Sequence, residues 1–156
     1  MYLWLKLVHL LAVVMFIGNI LTGVFWHRHA LATRDPRLIA HAIAGVIRSD
    51  RLFTVPGVVL IIASGVFAAV QGGLPLLRTG WIAWTLVLFG ISGMVFGMKL
   101  VPLQRQMLKH AQAGAASGAF DFVGYHRLSR TWDLWGAIAT GALLLGFALM
   151  VLKPAL

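Results

Sequence analysis

Residues 3–26 read LWLKLVHLLAVVMFIGNILTGVFW, and this stretch decides the fold. A helix that crosses a bilayer needs about 20 mostly apolar residues. This stretch meets that length with only Lys6 and His9 as ionisable interruptions. Tyr2, Trp4 and Trp26 bracket it, and aromatic rings of this kind settle at the headgroup level. Three further stretches qualify, over 52–71, 81–103 and 134–152. Trp81 and Trp84 open the third span, and Trp132 and Trp135 open the fourth. The expected fold is all-α: a four-transmembrane-helix bundle, forming a single integral membrane domain over 1–156.

Composition agrees. The chain is 60% hydrophobic and 11% charged, whereas a soluble domain carries roughly a quarter charged residues. The net charge of +9 would suit nucleic acid if it lay on one soluble face. The basic residues stand instead at the ends of apolar runs, which excludes that partner and makes the lipid bilayer the expected one. With no cysteine there is no disulfide, thiolate ligand or thiol nucleophile. The first span lacks a small-residue cleavage site and exceeds a signal-peptide core, so it reads as retained.

Charge sets the orientation. Arg28, Arg34, Arg37, Arg48 and Arg51 occupy the first loop, and Arg105, Lys109, Arg127 and Arg130 the third, with Lys99 just inside the span before it. The other side has Lys6, Arg78 and Lys153. Ten against three predicts cytoplasmic first and third loops, in a multi-pass protein of the bacterial inner membrane with both termini periplasmic.

The two cytoplasmic loops are expected to hold short amphipathic helices. After the turn signal Asp35-Pro36, Leu38, Ile39, Ala42, Ile43, Val46 and Ile47 repeat at helical spacing, with Arg37, His41 and Arg48 towards the other side. That pattern predicts a helix resting on the inner leaflet. Ser49 or Asp50 is placed to cap the second span. In the third loop, helix runs through Gln104–Gln112, a small-residue linker follows over 113–119, and aromatic residues 120–126 lead into the last span. Gly93 and Gly97, Gly18 with Thr22, and Gly136, Gly141 and Gly146 mark places where helix backbones can approach closely. Asn19, polar and mid-span, is expected to hydrogen-bond a neighbouring helix. Asp50, Arg51, Arg130 and Asp133 are expected to form ion pairs at the inner mouth that fix helix register, a cluster that would also suit an anion.

The chemistry-bearing candidates are few. His9 is the one histidine within a span, roughly 10 Å from the outer interface at ~1.5 Å per residue. An ionisable group at that depth is a functional candidate by default. Lys6 lies three residues earlier on the same helix face. A neutral imidazole can bind haem iron axially, and a cation nearer the surface can pair with a propionate. The plain structural alternative has Lys6 reaching to the interface and His9 bonding a neighbouring helix. The other spans contain no histidine, so a bis-histidine haem within the spans of one chain is excluded. His27, His29 and His126 stand near the inner ends of the first and fourth spans. His27 and His29, two residues apart, point in different directions on a helix. Met94 and Met98 share a face, which suits either packing or Cu(I). No nucleophile triad, phosphate loop or paired-carboxylate arrangement is present.

The segments Tyr2–His9, Gly18-Asn19-Ile20, Arg48–Gly57, Gly80–Trp84, Leu100–Gln104 and Leu152-Lys153-Pro154 resemble the bacterial integral membrane proteins of domain-of-unknown-function family 2269. The resemblance spans all four helices and implies a four-helix inner-membrane protein. Trp4-x-Lys6-x-x-His9, His29-Ala30 and Lys153-Pro154 are also similar to the HemJ-type protoporphyrinogen oxidases, four-helix membrane proteins that bind haem b. That similarity implies His9 as axial metal ligand, with Lys6 and His29 as further cofactor-binding positions. The lysine and histidine of that family's third helix have no counterpart over 85–96. A distant similarity to CopD-type membrane domains implies copper instead. Three expectations stand side by side: a haem-dependent membrane oxidoreductase, a permease for copper or another small solute, and a non-catalytic assembly partner. A bundle of this size leaves room for a homodimer in each case.

Overall fold

The computed structural model describes residues 2–155, and among them every regular element is helical. The elements are α1 (Tyr2–Ala32), α2 (Pro36–Ser49), α3 (Val55–Gln71), α4 (Gly80–Val95), α5 (Val101–Ser117) and α6 (Phe122–Leu152). A π-helical turn, Asp50–Thr54, joins α2 to α3, and a second, Phe96–Leu100, joins α4 to α5. Chain continuity therefore makes four long helices: Tyr2–Ala32, Pro36–Gln71, Gly80–Ser117 and Phe122–Leu152, each long and apolar enough to cross a membrane.

The two loop regions differ from the expectation. Neither holds a separate peripheral helix. Only residues 33–35 and 118–121 interrupt the helical path, and the small-residue linker expected over 113–119 continues α5 as far as Ser117. The physical reason is visible in α2. Its apolar side, Ile39, Ile43 and Val46, is buried in protein rather than left to the leaflet. Val46 lies 3.7 Å from where a Cβ on Gly23 of α1 would stand. Pro36 opens α2 and the Asp35 carboxylate accepts from the Arg37 N–H at 2.8 Å, so capping occurs at the start of this helix. Ser49 and Asp50 start no new helix, because the chain passes through them in helical conformation.

Both π-turns precede a proline by two residues, in Val55-Pro56 and Val101-Pro102. A proline in an α-helix removes one N–H and drives its ring against the carbonyl four residues back. One extra residue in the preceding turn relieves that conflict without breaking the helix. The Val55 N–H accordingly bonds the Asp50 carbonyl, and the Val101 N–H the Phe96 carbonyl.

The chain forms two compact units. The first holds the chain up to Leu74 together with Ala111–Phe120. In it α1 and α3 run antiparallel, with Tyr2 beside Gly72, His9 beside Gly65, and Phe16 beside Gly57. The second holds Pro75–His110 and the chain from Asp121. In it α4 and α6 pair: the Thr85 methyl sits 3.3 Å from a Cβ position on Gly146, and Lys153 lies over the Trp81 ring. Lys99 covers Trp135 at 5.4 Å. At ~1.5 Å per residue these long helices run ~45–55 Å, well beyond a ~30 Å hydrocarbon core. In each unit the excess lies at the end that bears its arginines. The side chains covered most completely lie there too: His27, Ile39 and Ile43 in the first unit, Met107, Tyr125 and Ser129 in the second. Along the spans, large apolar residues such as Leu11, Val14, Val59 and Ile62 are exposed, as lipid-facing residues must be.

The close-packing glycines are only partly those expected. Among the described residues, a Cβ on Gly18, Gly93, Gly97, Gly136 or Gly141 would meet nothing within 4 Å, so none of these marks a close helix contact within its unit. Gly57, Gly65 and Gly146 do.

Candidate functional site

His9 is half-buried and turned towards α3. Its Nδ1 lies 3.0 Å from the Ile61 carbonyl oxygen and 3.2 Å from the Ser64 hydroxyl. A carbonyl only accepts, so Nδ1 carries the hydrogen and donates it. The neutral ring then keeps its lone pair on Nε2. Ser64 is itself oriented, since its hydroxyl donates to the Leu60 carbonyl one turn back. Gly65 makes room for the ring: a Cβ there would stand 3.0 Å from Cε1 of His9. Sequence inspection finds His9 from its burial in an apolar run, but Ser64 and Gly65 carry no such signal. Each is one of many small residues on an apolar helix.

The arrangement is chemically specific. Histidines that bind metals commonly donate the second ring N–H to a carbonyl or carboxylate, which sets tautomer and orientation. His9 has that second contact already. Lys6, one turn away on the same helix, is exposed. His29 does not join them. It lies twenty residues along the same unbroken helix, ~30 Å away at ~1.5 Å per residue. There it is exposed and lies against Phe25 and Trp26, with ring centroids 6.1 and 5.7 Å apart. His27, two residues before it, is fully buried, so the pair does point apart. Among the described residues no three His, Asp or Glu side chains gather as a metal-ion cluster would. Met94 and Met98 are both exposed, so they are not core residues.

A second polar cluster lies further along the same pair of helices. Asn19 Nδ2 donates to Asp50 Oδ1 at 3.2 Å and to Thr54 Oγ1 at 2.9 Å, and the Thr54 hydroxyl donates to Asp50 Oδ1 at 2.8 Å. The π-turn makes this possible. Asp50 and Thr54 both face α1, while Arg51, Leu52 and Phe53 between them are exposed. Asn19 thus bonds a neighbouring helix as expected, and Asp50 is drawn inward to it.

In the second unit, His110 Nε2 lies 2.9 Å from the Asp121 carbonyl, and the Asp121 carboxylate accepts from the Gly124 N–H at 2.9 Å to cap α6. His110 thus ties the turn to α5. Gly124 is confined by the same contacts, because a Cβ there would overlap the Asp121 carboxylate.

Residues 3–154 match a family described as predicted integral membrane protein, DUF2269. No curated protein and no solved structure matches the chain.

Proposed function

On the premise that the chain belongs to this family of integral membrane proteins, we propose that it binds haem b through His9 and carries out redox chemistry at the bacterial cytoplasmic membrane. The observation that carries this reading is the hydrogen bond from His9 Nδ1 to the Ile61 carbonyl, which leaves Nε2 as a free electron-pair donor within a span. The residues present fit an axial ligand: the ring is held by two acceptors and cradled at a glycine. Lys6, exposed one turn nearer the helix end, is the propionate partner in this reading. Haem held by His9 would supply one-electron chemistry at this depth of the membrane. His29 is too far along α1 to hold the same group.

The test is the visible spectrum of the detergent-purified protein from haem-replete cells. A Soret band that is lost in His9→Ala supports the reading. A colourless wild-type protein overturns it.

The same hydrogen bonds favour a second reading, in which His9 is a polar clamp between α1 and α3 of a non-catalytic membrane partner. A colourless protein whose unfolding temperature falls in His9→Ala identifies the clamp.

A further inference from the structure

The arginine-bearing end of the first unit shows an abrupt boundary on one helix surface. Arg48 and Arg51 are exposed, and the next exposed residues are apolar: Leu52 at 58%, Phe53 at 44% and Val55 at 52%. Charge gives way to hydrocarbon within one turn. Such a boundary marks the level where acyl chains meet headgroups.

The position of Asn19 fixes that level on the neighbouring helix. Its bonds to Asp50 and Thr54 place it opposite the π-turn. Phe25 and Trp26, both exposed, lie six and seven residues further out along α1, ~10 Å at ~1.5 Å per residue. The layer between the hydrocarbon edge and water is roughly 5–8 Å thick on each side. Arg48 and Arg51 therefore stand at its inner edge, and the aromatic pair lies at or just beyond its outer edge.

Asp50 is the one acid between Arg48 and Val55, and its carboxylate oxygen Oδ1 accepts from Asn19 and Thr54 on the helix's inner side. The π-turn thus sorts charge by direction: the Asp50 carboxylate faces α1, while Arg48 and Arg51 are exposed. A guanidinium at this depth pairs best with a phosphate, whose oxygens accept two parallel N–H bonds.

We propose that Arg48 and Arg51, set at the π-turn, form a binding surface for the headgroup phosphate of anionic phospholipids. Lipids whose phosphate is offset by a choline bind it less well, because their headgroup carries no net charge. The surface is independent of any cofactor at His9.

The experiment compares wild type with Arg48→Gln/Arg51→Gln in detergent, with phosphatidylglycerol or phosphatidylcholine added. Lipid retention is read by native mass spectrometry. Wild type is expected to retain phosphatidylglycerol over phosphatidylcholine, and the double variant to lose roughly ten- to thirty-fold of that preference. Each single variant loses part of it, so the result does not depend on the double variant folding. Arg78→Gln, in the turn at the opposite end, leaves the preference unchanged. Equal retention of both lipids by wild type, or an unchanged preference in the Arg48 and Arg51 variants, overturns the proposal. Competition by inorganic phosphate alone also overturns it, because it identifies a site for a soluble anion.

Discussion

A glycine has no visible role in the sequence until its neighbour is known, and Gly65 illustrates this. Replacing a helix glycine by alanine ordinarily gains up to ~1 kcal/mol from propensity. At Gly65 the new Cβ would stand 3.0 Å from the His9 ring. Gly65→Ala is therefore expected to lower the unfolding temperature, whereas Gly141→Ala, with nothing within 4 Å, is expected to leave it unchanged or raise it. Equal behaviour of the two in a thermal scan would show that the ring does not rest on Gly65. Asn19 gives the complementary case. Thr54, 3% exposed, and Asp50 both accept from its amide. Asn19→Leu takes one hydrogen bond from each of these partners and is expected to destabilise by about 1–3 kcal/mol, measured by thermal or denaturant unfolding in detergent. A shift within error would mean that water replaces the amide. The sequence singles out His9 and Asn19, since polar groups in an apolar run need partners. It is silent on Ser64 and Gly65, whose residue types are as common in plain packing as in a site.

At the scale of elements, α2 separates pattern from consequence. Its apolar spacing is plain in the sequence and predicts a helix, which is present. The same spacing serves a helix lying on lipid and one packed in protein, so it cannot say what covers the face. The structure covers it with protein, leaving Ile43 at 0% and Leu38 at 50% exposure. Ile43→Ala is expected to cost about 2–4 kcal/mol, and Leu38→Ala well under half of that. If both substitutions prove equally mild, α2 rests on the leaflet after all. The π-turns carry a related lesson. Pro56 falls in the early turns of the expected second span, where a proline is tolerated, and that reading misses the widened turn before it. Whether the chain kinks, stops or widens by one residue depends on what the displaced side chains meet. At the first π-turn Asp50 and Thr54 meet Asn19.

At the scale of the molecule, the long helices of each unit exceed the length of a hydrocarbon core, and in each unit the excess lies at the end that bears its arginines. The proposed cytoplasmic placement of this end is open to a direct test, because the natural chain has no cysteine to remove. Single cysteines at Leu74 and Ala119 lie in opposite connecting segments. A membrane-impermeant maleimide applied to intact cells, under conditions that leave the inner membrane sealed, is expected to label position 74 readily. Position 119 should react only after permeabilisation. The reverse pattern would invert the topology and move His9 to the cytoplasmic side.

The sequence by itself determined the four apolar spans and the helix class, because apolar length is a local property that lipid reads directly, but not how far each helix runs on past its span. It also marked His9 and Asn19 as side chains in need of partners. Only the tertiary structure decided which partners they have, which glycines face a helix, and that the expected peripheral helix α2 is packed in protein. Those outcomes depend on the register of α1 against α3 and on the extra residue in the π-turn. Both are set by contacts between residues some 30 to 60 positions apart, which no local pattern encodes.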